Sequence, residues 1–328
     1  MKTNTLTHSS VWSDIRIAAF AGTGSYVPPQ VLTNAQLSER VDTSDEWITT
    51  RTGIKERRIA TAAETTTHMA TEAARRAMAS AGVEPGGIDL IVVATITADK
   101  TCPSAACEVQ KQLGALNAVC FDVAAACSGF LFAVENARQW IASGRYDNAL
   151  VIAADRLSDV IDWTDRNTCV LFGDGAGAVV LTASPHGRGI VSTSLGSDGR
   201  FGSHLEIGAP DSNGFLRMNG RETFKLAIQC MAQSIDNVLF ASGLRPEDIA
   251  CVVPHQANIR ILQALAEKLE MPFSRFFTNL DRYGNTSGAS CAIALDEAYR
   301  EGRFKEGDHI LLAAFGGGLT YGATLVQW

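Results

Sequence analysis

Phe121-Asp122-Val123-Ala124-Ala125-Ala126-Cys127-Ser128-Gly129-Phe130 decides how the rest of the chain is read. An apolar strand runs into small residues and a cysteine, and residues 131–141, rich in Ala, Leu and Phe, read as a helix. Cys127 then sits at a strand-to-helix turn, where unpaired N–H groups and the helix dipole favour a thiolate. The alanines and the glycine around it let a substrate and backbone donors come close. The same stretch also suits a core thiol, the commonest fate of a free cysteine. Residues elsewhere decide between the two.

The 328 residues are enough for two packed lobes. With 28 Lys and Arg against 35 Asp and Glu, the net charge of −7 argues against a general nucleic-acid binder but leaves room for a local basic patch. The eight cysteines include no CxxC pair and no Cys/His spacing suited to zinc, so they read as reduced thiols of a cytoplasmic protein with no metal. Residues 1–13 are polar, without the apolar centre of a secretory signal, and read as a loose extension. No apolar run reaches transmembrane length, which predicts no membrane partner.

Taken in order, residues 15–20 read as a first strand and Ala21-Gly22-Thr23-Gly24-Ser25 as a turn. No helix follows directly, so this is not a dinucleotide loop. Thr43 and Glu46 have capping-box spacing, and Trp47 and Arg51 then share one helical face. An indole beside a guanidinium suits a ligand with a flat ring and phosphates, or only a solvated surface helix. Helices are expected at 65–81, 104–113, 222–242, 258–269 and up to 299, alternating with apolar strands at 88–96, 118–123, 149–154, 189–194, 251–255, 310–315 and 324–328, an α/β pattern. Gly173, Gly175 and Gly177 precede a β-branched run instead of a helix, so they mark close backbone packing and not a phosphate cradle. Pro185-His186-Gly187 looks like a boundary.

The chain also repeats itself. Ala79-Ser80-Ala81-Gly82-Val83-Glu84-Pro85-Gly86-Gly87-Ile88 matches Ala241-Ser242-Gly243-Leu244-Arg245-Pro246-Glu247-Asp248-Ile249, and Ser143-Gly144-Arg145-Tyr146 matches Glu301-Gly302-Arg303-Phe304. Counting back 18 residues from Arg145 and from Arg303 gives Cys127 and Asn285. Both fall where small residues enter a long helix. His255 follows the strand that repeats 88–93, at the strand end where α/β sites collect. A thiol, an imidazole and a carboxamide thus converge. Such a set suits a papain-like hydrolase. Equally, with His255 and Asn285 on tight turns, both can donate to one developing oxyanion, which serves enolate formation.

At these residues the chain resembles the β-ketoacyl-[acyl-carrier-protein] synthase III family, the initiating condensing enzymes of type II fatty acid synthesis. The likeness runs from about residue 15 to 328, with motifs at 42–58, 124–130, 172–177, 255–258, 284–287 and 315–318 in family order. It implies an α/β thiolase-like fold, a five-layer αβαβα sandwich, in a homodimer. After an extension at 1–14, one half (15–185) would carry Cys127 and a similar half (186–328) His255 and Asn285. The resemblance implies that Cys127 takes an acyl group from a short acyl-CoA, with backbone N–H groups of Cys127 and Gly317 holding the oxyanion. Malonyl-[acyl-carrier-protein] then loses carbon dioxide, His255 and Asn285 hold the enolate oxygen, and a 3-oxoacyl thioester leaves, with no cofactor beyond the coenzyme A thioester itself. Trp47, Arg51, Arg166 and Asn258 match coenzyme A positions; Lys225, Arg260 and Lys268 match carrier-protein positions, though Glu267 stands where some members carry a further Lys. Cys102 stands where one branch has a Phe reaching into the partner's acyl pocket, which implies a roomier pocket. A condensing acyltransferase of secondary metabolism, or one with longer-chain primers, fits the same residues.

Overall fold

Leu90-Ile91-Val92-Val93-Ala94 is apolar and buried at every position. A strand with no polar face needs cover on both sides, the signature of a sheet enclosed between helix layers. The computed structural model describes residues 16–184, 186–208 and 213–328, and it has that architecture twice. The expected extension (1–14), Ile15 of the expected first strand and Pro185 of the expected boundary lie outside the described residues.

The elements run β1 (Ala18–Tyr26), β2 (Val31–Thr33), α1 (Asn34–Ser38), α2 (Asp45–Thr52), β3 (Glu56–Arg58), α3 (Thr66–Ala81), β4 (Leu90–Ala94), α4 (Ala105–Leu113), β5 (Val119–Val123), α5 (Gly129–Ala142), β6 (Asn148–Arg156) and β7 (Asp174–Ala183). They continue with β8 (Gly189–Ser197), β9 (Leu205–Ile207), β10 (Leu216–Met218), α6 (Gly220–Ser242), β11 (Ile249–Pro254), α7 (Ile259–Lys268), α8 (Leu280–Tyr283), α9 (Ala289–Arg300), β12 (His309–Gly316) and β13 (Thr320–Gln327). One sheet has the order β1-β7-β6-β4-β5 and the other β8-β13-β12-β11. Phe276 bridges Val252 in parallel, beside β11, as β5 lies beside β4. The two sheets therefore share one winding.

Side-chain alternation assigns the layers. In β4, Leu90, Val92 and Ala94 face a central core with Phe130 and Val134 of α5 and Ile293 and Leu295 of α9; β12 sends Ile310, Leu312 and Ala314 into the same core. The opposite faces, Ile91 and Val93 on one sheet and Leu311 and Ala313 on the other, are covered by α3 and α4 and by α6 and α7 respectively. The result is the expected five-layer αβαβα sandwich, with the paired helices α5 and α9 in the middle. A fourth cluster roofs the end where the site lies, joining Ile48 of α2, Leu157, Phe172, Leu216 and Leu280.

Two local expectations are corrected. Residues 21–25 form no turn: β1 continues through them, with one irregularity in its pairing to β7 at Ala21. Its glycines reflect a neighbour and not a bend, since a Cβ on Gly22 would stand 2.4 Å from the backbone N of Ala81 and one on Gly24 2.3 Å from that of Ala77, so α3 lies directly on the strand. The cap of α2 is Ser44, whose Oγ accepts from the Trp47 N–H at 3.1 Å, not Thr43. Trp47 and Arg51 still share a face. The glycines at 173–177 pack closely, as expected, with a Cβ on Gly177 falling 2.5 Å from Ala292 Cβ.

Candidate active site

Cys127 lies in a single 3₁₀ turn, Ala126–Ser128, between β5 and α5. Ala126 has φ +44°, so the chain is bent into a left-handed corner just before the thiol. Ser128 Oγ lies within hydrogen-bond distance of Ala125 O at 2.9 Å and of Thr320 Oγ1 at 2.8 Å, fastening the corner to β13. The end of β12 is pressed against it: a Cβ on Gly316 would stand 2.5 Å from the Cys127 backbone N. Gly317, the next residue, lines a cavity with Cys127.

His255 follows β11 and is buried against Phe315, ring centroids 5.7 Å apart. Its Nδ1 lies 2.5 Å from Ser290 Oγ, which also accepts from the Gln256 N–H at 3.2 Å. A Ser290 hydroxyl that donates to Nδ1 puts the ring proton on Nε2, the tautomer in which His255 can donate into the chamber. Asn285 enters α9 through Gly284, whose φ of +64° and ψ of −156° suit glycine alone. Main-chain bonds pin Asn285 to the other sheet's side: its N–H donates to Leu171 O at 2.8 Å, and its carbonyl accepts from the Gly173 N–H at 3.0 Å. Its Oδ1 accepts from the Ser287 N–H at 2.8 Å, which orients the amide and leaves Nδ2 as the free donor.

The three side chains meet. One cavity of about 120 Å³ is lined by Cys127, His255 and Asn285 together with Phe172, Phe224 and Asn258. A second, of about 290 Å³, shares Cys127, Phe172 and Leu205 with it and lies between Ile96, Leu157, Ile207 and Leu216, with Glu206 its charged member. Cys127 stands at the junction of the two cavities, one holding the His255 and Asn285 side chains and the other walled largely by aliphatic residues.

Burial dominates the electrostatics. Although the α5 N-terminus favours a thiolate, burial pushes the Cys127 thiol up to about 12; the expected net lowering is not what the structure gives, because the sequence does not show desolvation. Burial likewise holds His255 down at about 3, so the ring is neutral at ordinary pH. A neutral imidazole donates through Nε2 without adding a charge.

The expected coenzyme A residues form a separate cluster at the surface. The Arg166 guanidinium lies 4.7 Å and that of Arg51 5.4 Å from the Trp47 ring centroid, and Arg166 pairs with Asp42 at 3.6 Å. Asn258 joins cluster to chamber: its Oδ1 caps α7 by accepting from the Arg260 N–H, and its Nδ2 donates to Arg51 O at 3.1 Å. Lys225 on α6 and Arg260 and Lys268 on α7 are exposed, Lys225 paired with Glu222 at 3.1 Å. Cys102 is exposed and lies outside both Cys127 cavities of the single chain. Sequence reasoning gave no role to Ser287 or Ser290, although Ser287 stood inside a quoted motif. Among the described residues no His, Cys, Asp and Glu group could hold a metal ion, and no helix is long and apolar enough to cross a membrane.

Fold and site together define a thiolase-like acyltransferase built around a cysteine. Profiles described as 3-oxoacyl-[acyl-carrier-protein (ACP)] synthase III and its C-terminal part match residues 121–199 and 239–328. The chain is 50% identical over 323 residues to the β-ketoacyl-[acyl-carrier-protein] synthase III of Caldanaerobacter subterraneus subsp. tengcongensis, covering 95% of this chain and 98% of that one. The solved 3-oxoacyl-[acyl-carrier-protein] synthase III of Aquifex aeolicus superposes with a TM-score of 0.92 at 52% identity, over 95% of this chain and 100% of the other. The priming β-ketosynthase from the R1128 polyketide biosynthetic pathway superposes with a TM-score of 0.91 at 37% identity, over 95% and 96%. The chain belongs to the β-ketoacyl-[acyl-carrier-protein] synthase III family.

Proposed function

We propose that this chain condenses a short acyl-CoA primer with malonyl-[acyl-carrier-protein], releasing coenzyme A and carbon dioxide and giving the 3-oxoacyl-[acyl-carrier-protein] that starts fatty acid synthesis. The observation that carries the reading is the meeting of Cys127, His255 and Asn285 around one chamber, with a second, largely aliphatic cavity also lined by Cys127. Cys127 attacks the primer thioester, and the backbone N–H groups of Cys127 and Gly317 hold the tetrahedral oxyanion. His255 Nε2–H and Asn285 Nδ2–H then donate to the enolate oxygen as malonyl loses carbon dioxide, so charge develops where donors already stand. The carbanion attacks the acyl-Cys127 carbon and the thiolate leaves. Every step is carried by side chains and thioesters, so the reading calls for no metal or redox cofactor.

Trp47, Arg51 and Arg166 grip the nucleotide end of coenzyme A at the surface, with Asn258 beside the arm that passes inward. Lys225, Arg260 and Lys268 meet the acidic carrier protein. The chain works as a cytoplasmic homodimer of two similar halves, 15–185 and 186–328, and Cys102 faces the partner's acyl pocket, where its small side chain admits primers beyond acetyl. The test is mass spectrometry after exposure to a panel of acyl-CoAs, followed by malonyl-[acyl-carrier-protein]. Expected are an acyl adduct on Cys127 and then a 3-oxoacyl carrier product; thioester hydrolysis with no new carbon–carbon bond overturns the reading.

A further inference from the structure

Arg57 is fully buried in β3, and the reaction as written gives it nothing to do. It lines neither Cys127 cavity. A buried cation is expensive. This one has three hydrogen bonds, all to neutral oxygens: Nη1 donates to Leu32 O at 3.1 Å and to Asn34 Oδ1 at 2.8 Å, and Nη2 donates to Val170 O at 2.7 Å. Its Nε makes none. Burial pulls the guanidinium down to about 10, and it stays charged at neutral pH. An apolar side chain would fill the space at less cost. What arginine supplies there is a planar fork with donors aimed two ways.

Each arm of the fork reaches a different part of the site. On one side the Asn34 amide carries the contact on to α2. Its Nδ2 donates to Asp45 Oδ1 at 2.8 Å and to Ile54 O at 2.7 Å, one at the start of α2 and one just past its end. That helix carries Trp47 and Arg51 of the mouth. On the other side, Val170 lies between Arg166 of the mouth and the Leu171 and Gly173 that hold the main chain of Asn285. The arginine stem reaches the same place: Cβ atoms built on Gly173 and Gly284 would stand 3.1 and 3.4 Å from Arg57 Cβ. Just before β3, the Lys55 N–H donates to Asp281 O at 3.0 Å, tying this strand to α8. The Cys127 corner is held by Ala125, Thr320 and Gly316 instead.

We propose that Arg57 is a positioning residue that sets the α2 mouth and the Asn285 donor in one frame. The inference rests on the proposed roles of Trp47, Arg51 and Asn285. Its consequence is a pair of losses from one side chain that touches no substrate: weaker acyl-CoA binding and slower malonyl decarboxylation, with the reactivity of Cys127 intact. A residue that only held the fold together would lower all three.

The decisive variant is Arg57→Lys. It keeps the charge but offers donors from a single nitrogen, which cannot serve Asn34 and Val170 as the two guanidinium nitrogens do. Three quantities are measured on the full chain: radiolabelled carbon dioxide release from malonyl-[acyl-carrier-protein], the KM for acetyl-CoA in self-acylation, and the rate of Cys127 alkylation by iodoacetamide. Expected are carbon dioxide release about 10²-fold slower, the cost of a displacement of about 1 Å, and a KM about tenfold higher, with alkylation unchanged. Asn34→Asp is the second variant. It keeps an acceptor for Arg57 but removes the donor to α2, so it is expected to raise the KM by a similar factor and leave carbon dioxide release at the native rate. A native value of either quantity in Arg57→Lys overturns the inference, as does a loss of alkylation equal to the loss of carbon dioxide release. If Arg57→Lys does not fold, Asn34→Asp decides, and an unchanged KM overturns the frame. A native KM in Trp47→Ala, or native carbon dioxide release in Asn285→Ala, would instead overturn the roles on which the inference rests.

Discussion

The chamber and its mouth are built on opposite principles. Cys127, His255 and Asn285 are 6%, 1% and 6% exposed, and none carries a full charge at neutral pH. At the mouth, Arg51 is exposed and the Arg166 side chain is 39% exposed, both with the guanidinium over the Trp47 ring. The division follows from solvation. A buried charge without a partner is expensive, so the chamber offers neutral donors that strengthen only when substrate charge appears. The mouth uses permanent charge where water screens it and the cost of exposure is nil. Losses inside should therefore fall on chemistry, and losses outside on binding.

The sharpest break is Cys127→Ala, expected to abolish the acyl adduct altogether, as read by intact-mass spectrometry after incubation with acetyl-CoA. His255→Ala and Asn285→Ala come next, each lowering malonyl decarboxylation about 10²–10³-fold, in the range of a lost oxyanion donor. Radiolabelled carbon dioxide release should drop far more than self-acylation, and equal losses in both steps would merge the two roles. Gly316→Ala forces a Cβ onto the Cys127 backbone; overpacking of this kind costs about 1–3 kcal/mol, visible in urea melts, with acylation lost alongside. At the mouth, Trp47→Ala and Arg166→Ala should raise the KM for acyl-CoA about tenfold each, close to 1.4 kcal/mol, with kcat little changed.

The smallest effect is one of pH. An unfolded imidazole takes a proton below about 6.5, whereas the buried His255 resists until about 3. The folded state thus binds fewer protons across that window, and His255 removes stability as pH falls from about 6.5 toward 3. Replacing it with Gln should flatten the acid side of the stability curve, and native kcat should show no His255 inflection near 6.5.

The layered fold was legible because its two sheets use both-face burial and because the repeat survives in the helix ends, where Gly82 and Gly243 both close their helices in left-handed conformation. Cys127, His255 and Asn285 could be paired from the same repeat. The β1 glycines were misread because a strand pressed onto a helix leaves the same residues as a turn. The protonation of the thiol was out of reach for a different reason: its sign depends on the competition between the α5 dipole and burial, and burial is a property of packing. Arg57 and Asn285 are 228 residues apart and related only through the fold.

Asn285 is anchored through its peptide groups, and its amide is only oriented, by the Ser287 N–H. Leu171 and Gly173 grip the main chain on either side of it, and the side chain hangs from that mount into the chamber. Exchanging the side chain leaves the mount in place, so the position behaves as an interchangeable socket. A descendant of this scaffold could fit a different tool there, an acid or a second imidazole, and acquire new chemistry without rebuilding its frame.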